Sequence, residues 1–198
     1  MGKGAYGDVY ELCKDSNCSY VLKVISYSKE KYEMIGGDKL SLFHHKNVWK
    51  TEVENHLKII QCQKEFKFHK FLPDIYDAWF CEEKNGDTTF YIVMEKYDGD
   101  VHDFLKRHKS FKFAKPLALA NIKLLQLSLD HIHNACGICI DDIKLSNILY
   151  RLVDNGNDVH FVFADFGTSV IDNPSQRCID NDNRRFQNVV EEFQTTYN

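Results

Sequence analysis

The chain has 198 residues, of which 43% are hydrophobic and 13% aromatic, enough for a folded core in one domain or two small lobes. A formal net charge of −4 gives no general attraction to nucleic acid. No apolar run approaches membrane-spanning length and the N-terminus shows no signal-peptide pattern, so we expect a cytoplasmic protein outside membranes.

The chain opens with a glycine-rich stretch, GKGAYGDV, at residues 2–9. Glycines at this spacing let backbone N–H groups approach phosphates without a clash from Cβ. Strand-like residues 9–12 and 20–25 follow, joined by a polar turn at 14–17, so the glycines predict a lid between strands. Lys23 interrupts the second, otherwise apolar strand, and we expect its ammonium group to point into a cleft.

A polar segment and a helix come next. Residues 26–46 are irregular in pattern and predict a loop or insertion, whereas 47–61 predict a helix with Asn47 as its N-cap. Its apolar stripe consists of Trp49, Val53, Leu57 and Ile60.

An acidic residue, Glu52, lies on that inward stripe. A carboxylate is costly there unless it is paired, and Lys23 is the expected partner. Glu54 is the alternative residue for this pairing.

Two further strands, 75–81 and 89–97, are predicted around a turn at 85–87, and with the earlier strands they make a small antiparallel sheet. The polar connector 95–100 predicts a boundary between lobes 1–97 and 98–198. The basic stretch 106–112 is more typical of a solvated helix end than of an RNA site.

The second half begins with a helix predicted over 116–134, ended by Gly137. Strands 148–153 and 159–164 predict a hairpin, and 182–193 predict a last helix. We expect the hairpin to bring together the residues at its two ends.

Between the helix and the hairpin lies a polar segment, residues 140–147, here called the central loop. It carries Asp142, Lys144 and Asn147, and the hairpin would hold Asp165 beside Asn147. Carboxylate and amide oxygens suit a hard cation such as Mg²⁺, and a lysine suits a transferring phosphoryl group.

Six motifs occur in a fixed order over residues 2–169. They are the glycine pattern, Val-Leu-Lys-Val at 21–24, the helix glutamate, Tyr-Ile-Val-Met-Glu at 91–95, Asp-Ile-Lys-Leu-Ser-Asn at 142–147 and Asp-Phe-Gly at 165–167. This order resembles the eukaryotic-type protein kinase family. The resemblance implies an α+β, two-lobed fold, with a small antiparallel sheet lobe and a shortened, mainly helical lobe.

The resemblance also implies a function, Mg-ATP-dependent phosphorylation of serine or threonine hydroxyls in proteins. The lysine two positions after Asp142 gives a pattern that resembles serine/threonine kinases more than tyrosine kinases. ATP would be held by the lid, the strand lysine, the gatekeeper Met94 and the residues that follow it: Gly2, Lys3, Gly4, Gly7, Val9, Lys23, Met94, Glu95, Tyr97 and Asp100.

For catalysis, the resemblance implies that Lys23, held by Glu52, grips the phosphates. Asp142 would accept the proton of the substrate hydroxyl, and Lys144 would stabilise the transferring group. Asn147 and Asp165 would bind Mg²⁺.

The chain also departs from the family pattern. Ile140-Asp141-Asp142 replaces His-Arg-Asp, so regulation through a phosphorylated activation loop is not expected. No Ala-Pro-Glu follows Gly167, and residues 180–193 could be the buried central helix of the second lobe, reached by a shortened loop. Three interpretations of the short chain remain open: a fragment, a late-start reading frame, or a compact kinase of the kind that large DNA viruses carry.

Two other functions remain open. A pseudokinase could act by binding or mimicking a host kinase, although retention of Lys23, Asp142, Asn147 and Asp165 argues against it. A small-molecule kinase is disfavoured by Lys144 and by the short chain.

The cysteines form an odd, scattered set of seven. Such a set in a chain without an export signal predicts reduced, buried thiols. Cys136 and Cys139 have CxxC spacing, but no second pair lies at zinc-finger distance.

Overall fold

The computed structural model describes residues 3–4, 7–14, 17–28, 39–64, 70–107, 115–171 and 173–197. The chain divides into two compact units, Met1–His56 with Asp74–Lys96 and Leu57–Pro73 with Tyr97–Asn198. The sequence-based division had placed 57–73 in the first lobe. Apolar burial explains the difference, because Ile59, Phe71 and Leu72 are fully buried in the core of the second unit.

The first unit contains an antiparallel sheet of five strands in the order β1-β2-β3-β5-β4. The strands are β1 (Lys3–Gly4), β2 (Gly7–Lys14), β3 (Asn17–Tyr27), β4 (Ile75–Glu82) and β5 (Thr88–Glu95). Strands β2 to β5 coincide with the four predicted strands, whereas β1 was not predicted. The turn before β5 contains Gly86 at a φ of 88°, which glycine adopts without strain. Phe90 and Ile92 of β5 are buried, since alternate residues of a strand share one face.

The first helix, α1 (Lys39–Gln63), begins eight residues earlier than the sequence analysis predicted. The expected loop over 26–46 is therefore wrong at both ends, because β3 reaches Tyr27 and residues 39–46 are helical. Asn47 lies inside the helix and does not cap it. Residues 39–46 contain no glycine or proline to end a helix, so their polar character by itself is compatible with helical structure.

The second unit is mainly helical and confirms the α+β class. Its helices are α2 (Val101–Arg107), α3 (Lys115–Asn134) and α4 (Gln176–Tyr197), and its strands are β6 (Gly99–Asp100), β7 (Ile138–Cys139), β8 (Ile148–Val153), β9 (Asp158–Phe163) and β10 (Val170–Ile171). Helix α4 begins six residues before the predicted 182. No helix in the described part of the chain is long and apolar enough to cross a membrane.

Two antiparallel ladders flank the central loop. The predicted hairpin forms between β8 and β9, with Ile148 opposite Phe163. Strand β10 pairs with β7, with Val170 opposite Cys139. The chain that leaves Asp165 is thereby tied to the chain that enters the central loop.

The expectation of reduced thiols is wrong for six of the seven cysteines. Disulfides join Cys13 to Cys18, Cys62 to Cys136 and Cys139 to Cys178, while Cys81 is free and exposed. The two CxxC cysteines pair with distant partners, 74 and 39 residues away, instead of with each other. Tertiary packing creates these pairs, and spacing in the sequence does not reveal them.

The aromatic packing of α4 gives a stability prediction. Phe193 is fully buried and stacks on Phe104 with ring centroids 5.7 Å apart. Phe193→Ala should lower the free energy of unfolding by about 3–5 kcal/mol, because it removes a buried ring and leaves a cavity. Leu127→Ala, at a position 57% exposed on α3, should change it by less than about 0.5 kcal/mol. Urea denaturation measures both, and similar losses would contradict the assignment of Phe193 to the core.

Candidate functional site

The glycine stretch forms a hairpin between β1 and β2, as the predicted lid requires. Lys3 pairs with Asp8 and Gly4 with Gly7. Gly2 lies outside the described residues. Gly4 and Gly7 therefore lie where the chain reverses. A side chain at this position would obstruct the approach of a ligand to the backbone.

Lys23 and Glu52 form a partly buried ion pair in the first unit. Lys23 Nζ lies 2.5 Å from Glu52 Oε1, and their side chains are 13% and 11% exposed. Val9 lies directly opposite Lys23 in the sheet, so the two side chains share a face. The side chain of Glu54, the alternative partner, is 63% exposed, and its Oε1 lies 3.5 Å from Lys50 Nζ.

The end of β5 and the residues just after it carry three of the predicted nucleotide-binding residues, Met94, Glu95 and Tyr97. Met94 is half-buried opposite Val21, and the N–H of Glu95 donates to the carbonyl of Asp74 at 2.9 Å. The amide hydrogen of Glu95 is thus already used within the first unit. In the second unit, the guanidinium of Arg151 lies 4.2 Å from the centroid of the Tyr97 ring.

Asp100 is placed at the start of α2. Its Oδ1 accepts the N–H of Asp103 at 2.8 Å, the bond of an N-cap. One of its carboxylate oxygens is therefore committed to the helix. The preceding connector is tied to β8, where Asp98 Oδ2 accepts the N–H of Leu152 at 2.7 Å.

The central loop brings Asp142, Lys144 and Asn147 together, as the sequence analysis predicted. Asp142 Oδ2 accepts bonds from Lys144 Nζ at 2.6 Å and from Asn147 Nδ2 at 2.8 Å. Asn147 Nδ2 also donates to the carbonyl of Asp142 at 2.9 Å. Because the amide nitrogen of Asn147 is turned toward Asp142, its oxygen is the atom left to bind a cation.

The hairpin positions Asp165 beside this loop. The N–H of Ala164 donates to the carbonyl of Asn147 at 2.8 Å, and Asp165 follows with a φ of 63°. A left-handed aspartate is uncommon, and such backbone conformations concentrate at functional sites. Asp165 and Asn147 both carry oxygens of the kind that Mg²⁺ prefers as ligands.

A carboxylate on α4, which the sequence analysis did not single out, holds the start of the central loop. Asp182 is fully buried. Its Oδ2 accepts the N–H of Ile140 at 2.7 Å, and its Oδ1 accepts the N–H of Asp141 at 2.9 Å. His133 Nε2 on α3 lies 3.0 Å from Asp182 Oδ2, so one buried carboxylate joins two helices to the loop.

The next turn of α4 adds a second contact to the loop. Arg185 Nη1 donates to the backbone carbonyl of Asp141 and lies 3.0 Å from its Oδ1. Asp141 has a φ of 61°, and its carboxylate is bonded to Arg185 while that of the adjacent Asp142 is bonded to Lys144. The two neighbouring acids therefore have different surroundings.

A sequence signal for Asp182 was present. It lies four residues before Phe186, so it falls on the same inward stripe of the helix, as Glu52 does on α1. A carboxylate at such a position requires a partner. No comparable signal marks Arg185 or His133, since each is polar on an amphipathic helix and gains meaning only from the fold.

Comparison with family models places a protein kinase domain over residues 1–189. No curated protein matches the chain.

The buried contacts of Asp182 give a second stability prediction. Asp182→Ala should lower the free energy of unfolding by about 3–5 kcal/mol, because it leaves buried His133 and two backbone N–H groups without their acceptor. Asp180→Ala, on the exposed side of the same helix, should change it by less than about 0.5 kcal/mol. Chemical denaturation distinguishes the two, and a tolerated Asp182→Ala would show that the loop is held by other contacts.

Proposed function

The chain belongs to the protein kinase family, and we propose that it is an active enzyme which transfers the γ-phosphoryl group of Mg-bound ATP to serine or threonine hydroxyls of proteins. The observation that carries this proposal is the arrangement of the central loop. Asp142, Lys144 and Asn147 contact one another, and a backbone bond from Ala164 to Asn147 places Asp165 beside them.

Each of these residues suits one part of phosphoryl transfer. Asp142 is about one-third exposed, so its carboxylate can meet a substrate hydroxyl and accept its proton. Lys144 Nζ, 2.6 Å from that carboxylate, supplies positive charge where negative charge develops on the transferring group. Asn147 and Asp165 supply the oxygens that would hold Mg²⁺, and the metal would neutralise phosphate charge.

Lys23 is the residue proposed to bind the ATP phosphates. Its ion pair with Glu52 fixes the direction of a long side chain on an otherwise apolar strand. Fixing that direction before ATP binds reduces the entropy lost on binding. The lid backbone at Gly4 and Gly7 would cover the same phosphates.

Contacts from α4 support activity without prior phosphorylation. In this chain Asp141 replaces the arginine that the family resemblance implies, and Arg185 is bonded to it. The position of residue 141 is thus fixed by an ion pair and by Asp182, both within the second unit. No phosphate group is needed for either contact.

The choice of serine and threonine over tyrosine rests on Lys144. A lysine two positions after the proton acceptor is the pattern that resembles serine/threonine kinases, and the structure pairs it with Asp142. A pseudokinase that binds another kinase is the alternative, and the replacement of His-Arg by Ile140-Asp141 is the feature that favours it.

An assay of phosphate transfer from radiolabelled ATP to generic protein substrates tests the proposal. Asp142→Asn should lower turnover by about 10²- to 10⁴-fold, because it removes a positioned general base. Asp141→Asn is the matched control: asparagine tolerates the same backbone conformation, and the half-exposed ion pair with Arg185 is worth about 1 kcal/mol or less. It should therefore cost roughly fivefold or less.

Three outcomes separate the possibilities. Transfer by the wild-type chain that Asp142→Asn abolishes supports the kinase. Binding of Mg-ATP, seen as a raised melting temperature, without any transfer supports the pseudokinase. Equal losses for the two variants would show that the roles of Asp141 and Asp142 are wrongly assigned.

The ion pair in the first unit gives a further prediction. Because Lys23 and Glu52 share one interaction, turnover by the Lys23→Met, Glu52→Gln double variant should lie within about threefold of Lys23→Met alone. Glu54→Gln, which removes an exposed carboxylate on the same helix, should behave nearly as wild type. Additive losses from Lys23 and Glu52, measured as kcat/KM for ATP, would contradict their acting as one unit.

A further inference from the structure

Three potential metal ligands meet near the ends of two helices in the second unit. Cys62 lies in the last turn of α1, His131 in the last turn of α3, and Cys136 two residues after α3 ends. Their ligand atoms, two sulfurs and a ring nitrogen, all lie within 4.8 Å of one another, and all three side chains are half-buried. Neither the kinase resemblance nor the proposed function uses this cluster.

The distance between Cys62 and His131 matches a tetrahedral metal site. Zinc binds thiolate sulfur at about 2.3 Å and imidazole nitrogen at about 2.0–2.1 Å, which places two such ligands about 3.6 Å apart at the tetrahedral angle. Cys62 Sγ and His131 Nε2 are 3.6 Å apart. The separation of these two atoms therefore already matches that of two ligands on one zinc ion.

The backbone places Cys136 beside His131. The carbonyl of His131 accepts the N–H groups of Ala135, at 2.8 Å, and of Cys136, at 3.2 Å. Gly137 then reverses the chain at a φ of 64°, a conformation that glycine adopts without strain. This helix ending fixes the His131–Cys136 pair locally, and Cys62 is the ligand brought from elsewhere in the sequence.

In the structure, Cys62 and Cys136 are joined by a disulfide. Two thiolates on one tetrahedral zinc lie about 3.8 Å apart, so the sulfurs would separate by about 1.7 Å from their bonded distance. Their Cα atoms are 5.8 Å apart, and rotation of the two side chains can supply that movement without moving the helices. The disulfide and the metal are thus alternative ways to join the same two positions.

We propose that Cys62, His131 and Cys136 form a zinc site when the Cys62–Cys136 disulfide is reduced. An external dithiol supplies the two electrons: it is oxidised to its own disulfide and its two protons pass to the cysteine sulfurs. Zinc then displaces those protons and binds two thiolates and the imidazole, leaving one coordination position for water. Sulfur and nitrogen donors of this kind favour zinc over magnesium or calcium.

The proposed site has a structural consequence. The disulfide ties the end of α1 to the end of α3, and reduction alone would release that connection. Zinc bound to the same side chains restores it without a covalent bond between the cysteines. The second unit would therefore keep this connection under both oxidising and reducing conditions.

The test uses the whole chain, reduced with a phosphine and titrated with Co²⁺ as a spectroscopic probe for zinc. One equivalent of Co²⁺ should produce thiolate-to-cobalt charge-transfer absorption, and Zn²⁺ should displace it. His131→Asn is the decisive variant, because it removes a ligand and leaves both cysteines in place. It should weaken Co²⁺ binding by at least about tenfold, and Cys62→Ser should abolish the absorption.

Controls test three of the other five cysteines. A variant with Cys13→Ser and Cys18→Ser, and separately Cys178→Ser, should retain the absorption of the wild-type chain. The oxidised chain should show none. Circular dichroism establishes that each variant is folded.

A second measurement on the unaltered chain avoids any dependence on the folding of variants. Zinc should slow alkylation of Cys62 and Cys136 by iodoacetamide at least about tenfold, measured by mass spectrometry of peptides, and leave the exposed Cys81 unaffected. Three results would each overturn the proposal: no Co²⁺ absorption in the reduced chain, an undiminished affinity for Co²⁺ in His131→Asn, or equal alkylation of Cys62 and Cys136 with and without zinc.

Discussion

The hydrogen bonds of one buried carboxylate, that of Asp182, are the constraint on which the candidate site depends. They join α4 to the backbone of Ile140 and Asp141 and to His133 on α3. A fully buried carboxylate is tolerated only when its oxygens are satisfied, and two backbone donors and an imidazole satisfy it here. The central loop consequently begins from a fixed point, and Asp142 is placed one residue after it.

The two units position their charged side chains by the same physical rule. In each, a charged side chain lies on an inward face and is satisfied by a partner distant in sequence: Lys23 with Glu52 in the first unit, and Asp182 with the loop backbone in the second. An unpaired charge at either place would cost more than the pairing. The pairing fixes geometry, which is what a positioned reacting group requires.

Cross-links add to this frame in the second unit. The Cys139–Cys178 disulfide connects the residue before Ile140 to the first turn of α4, the helix that carries Asp182 and Arg185. The Cys62–Cys136 pair connects the ends of α1 and α3. Both join segments that hydrogen bonds and apolar contacts already bring together, and each restricts the unfolded chain.

The sequence by itself determined the family, the α+β class, most strands, and the local grouping of Asp142, Lys144 and Asn147, since a spacing of five residues within one loop already keeps these groups close. The inward stripes of α1 and α4 also indicate the positions of Glu52 and Asp182, although only Glu52 was predicted from the sequence. Only the tertiary structure decided the cysteine pairs, the contact of Arg185 with Asp141, and the packing of 57–73 with the second unit. Each of these contacts joins segments that are far apart in the chain. Burial of the whole core brings such segments together, so the residues in contact carry no local sequence pattern that predicts them.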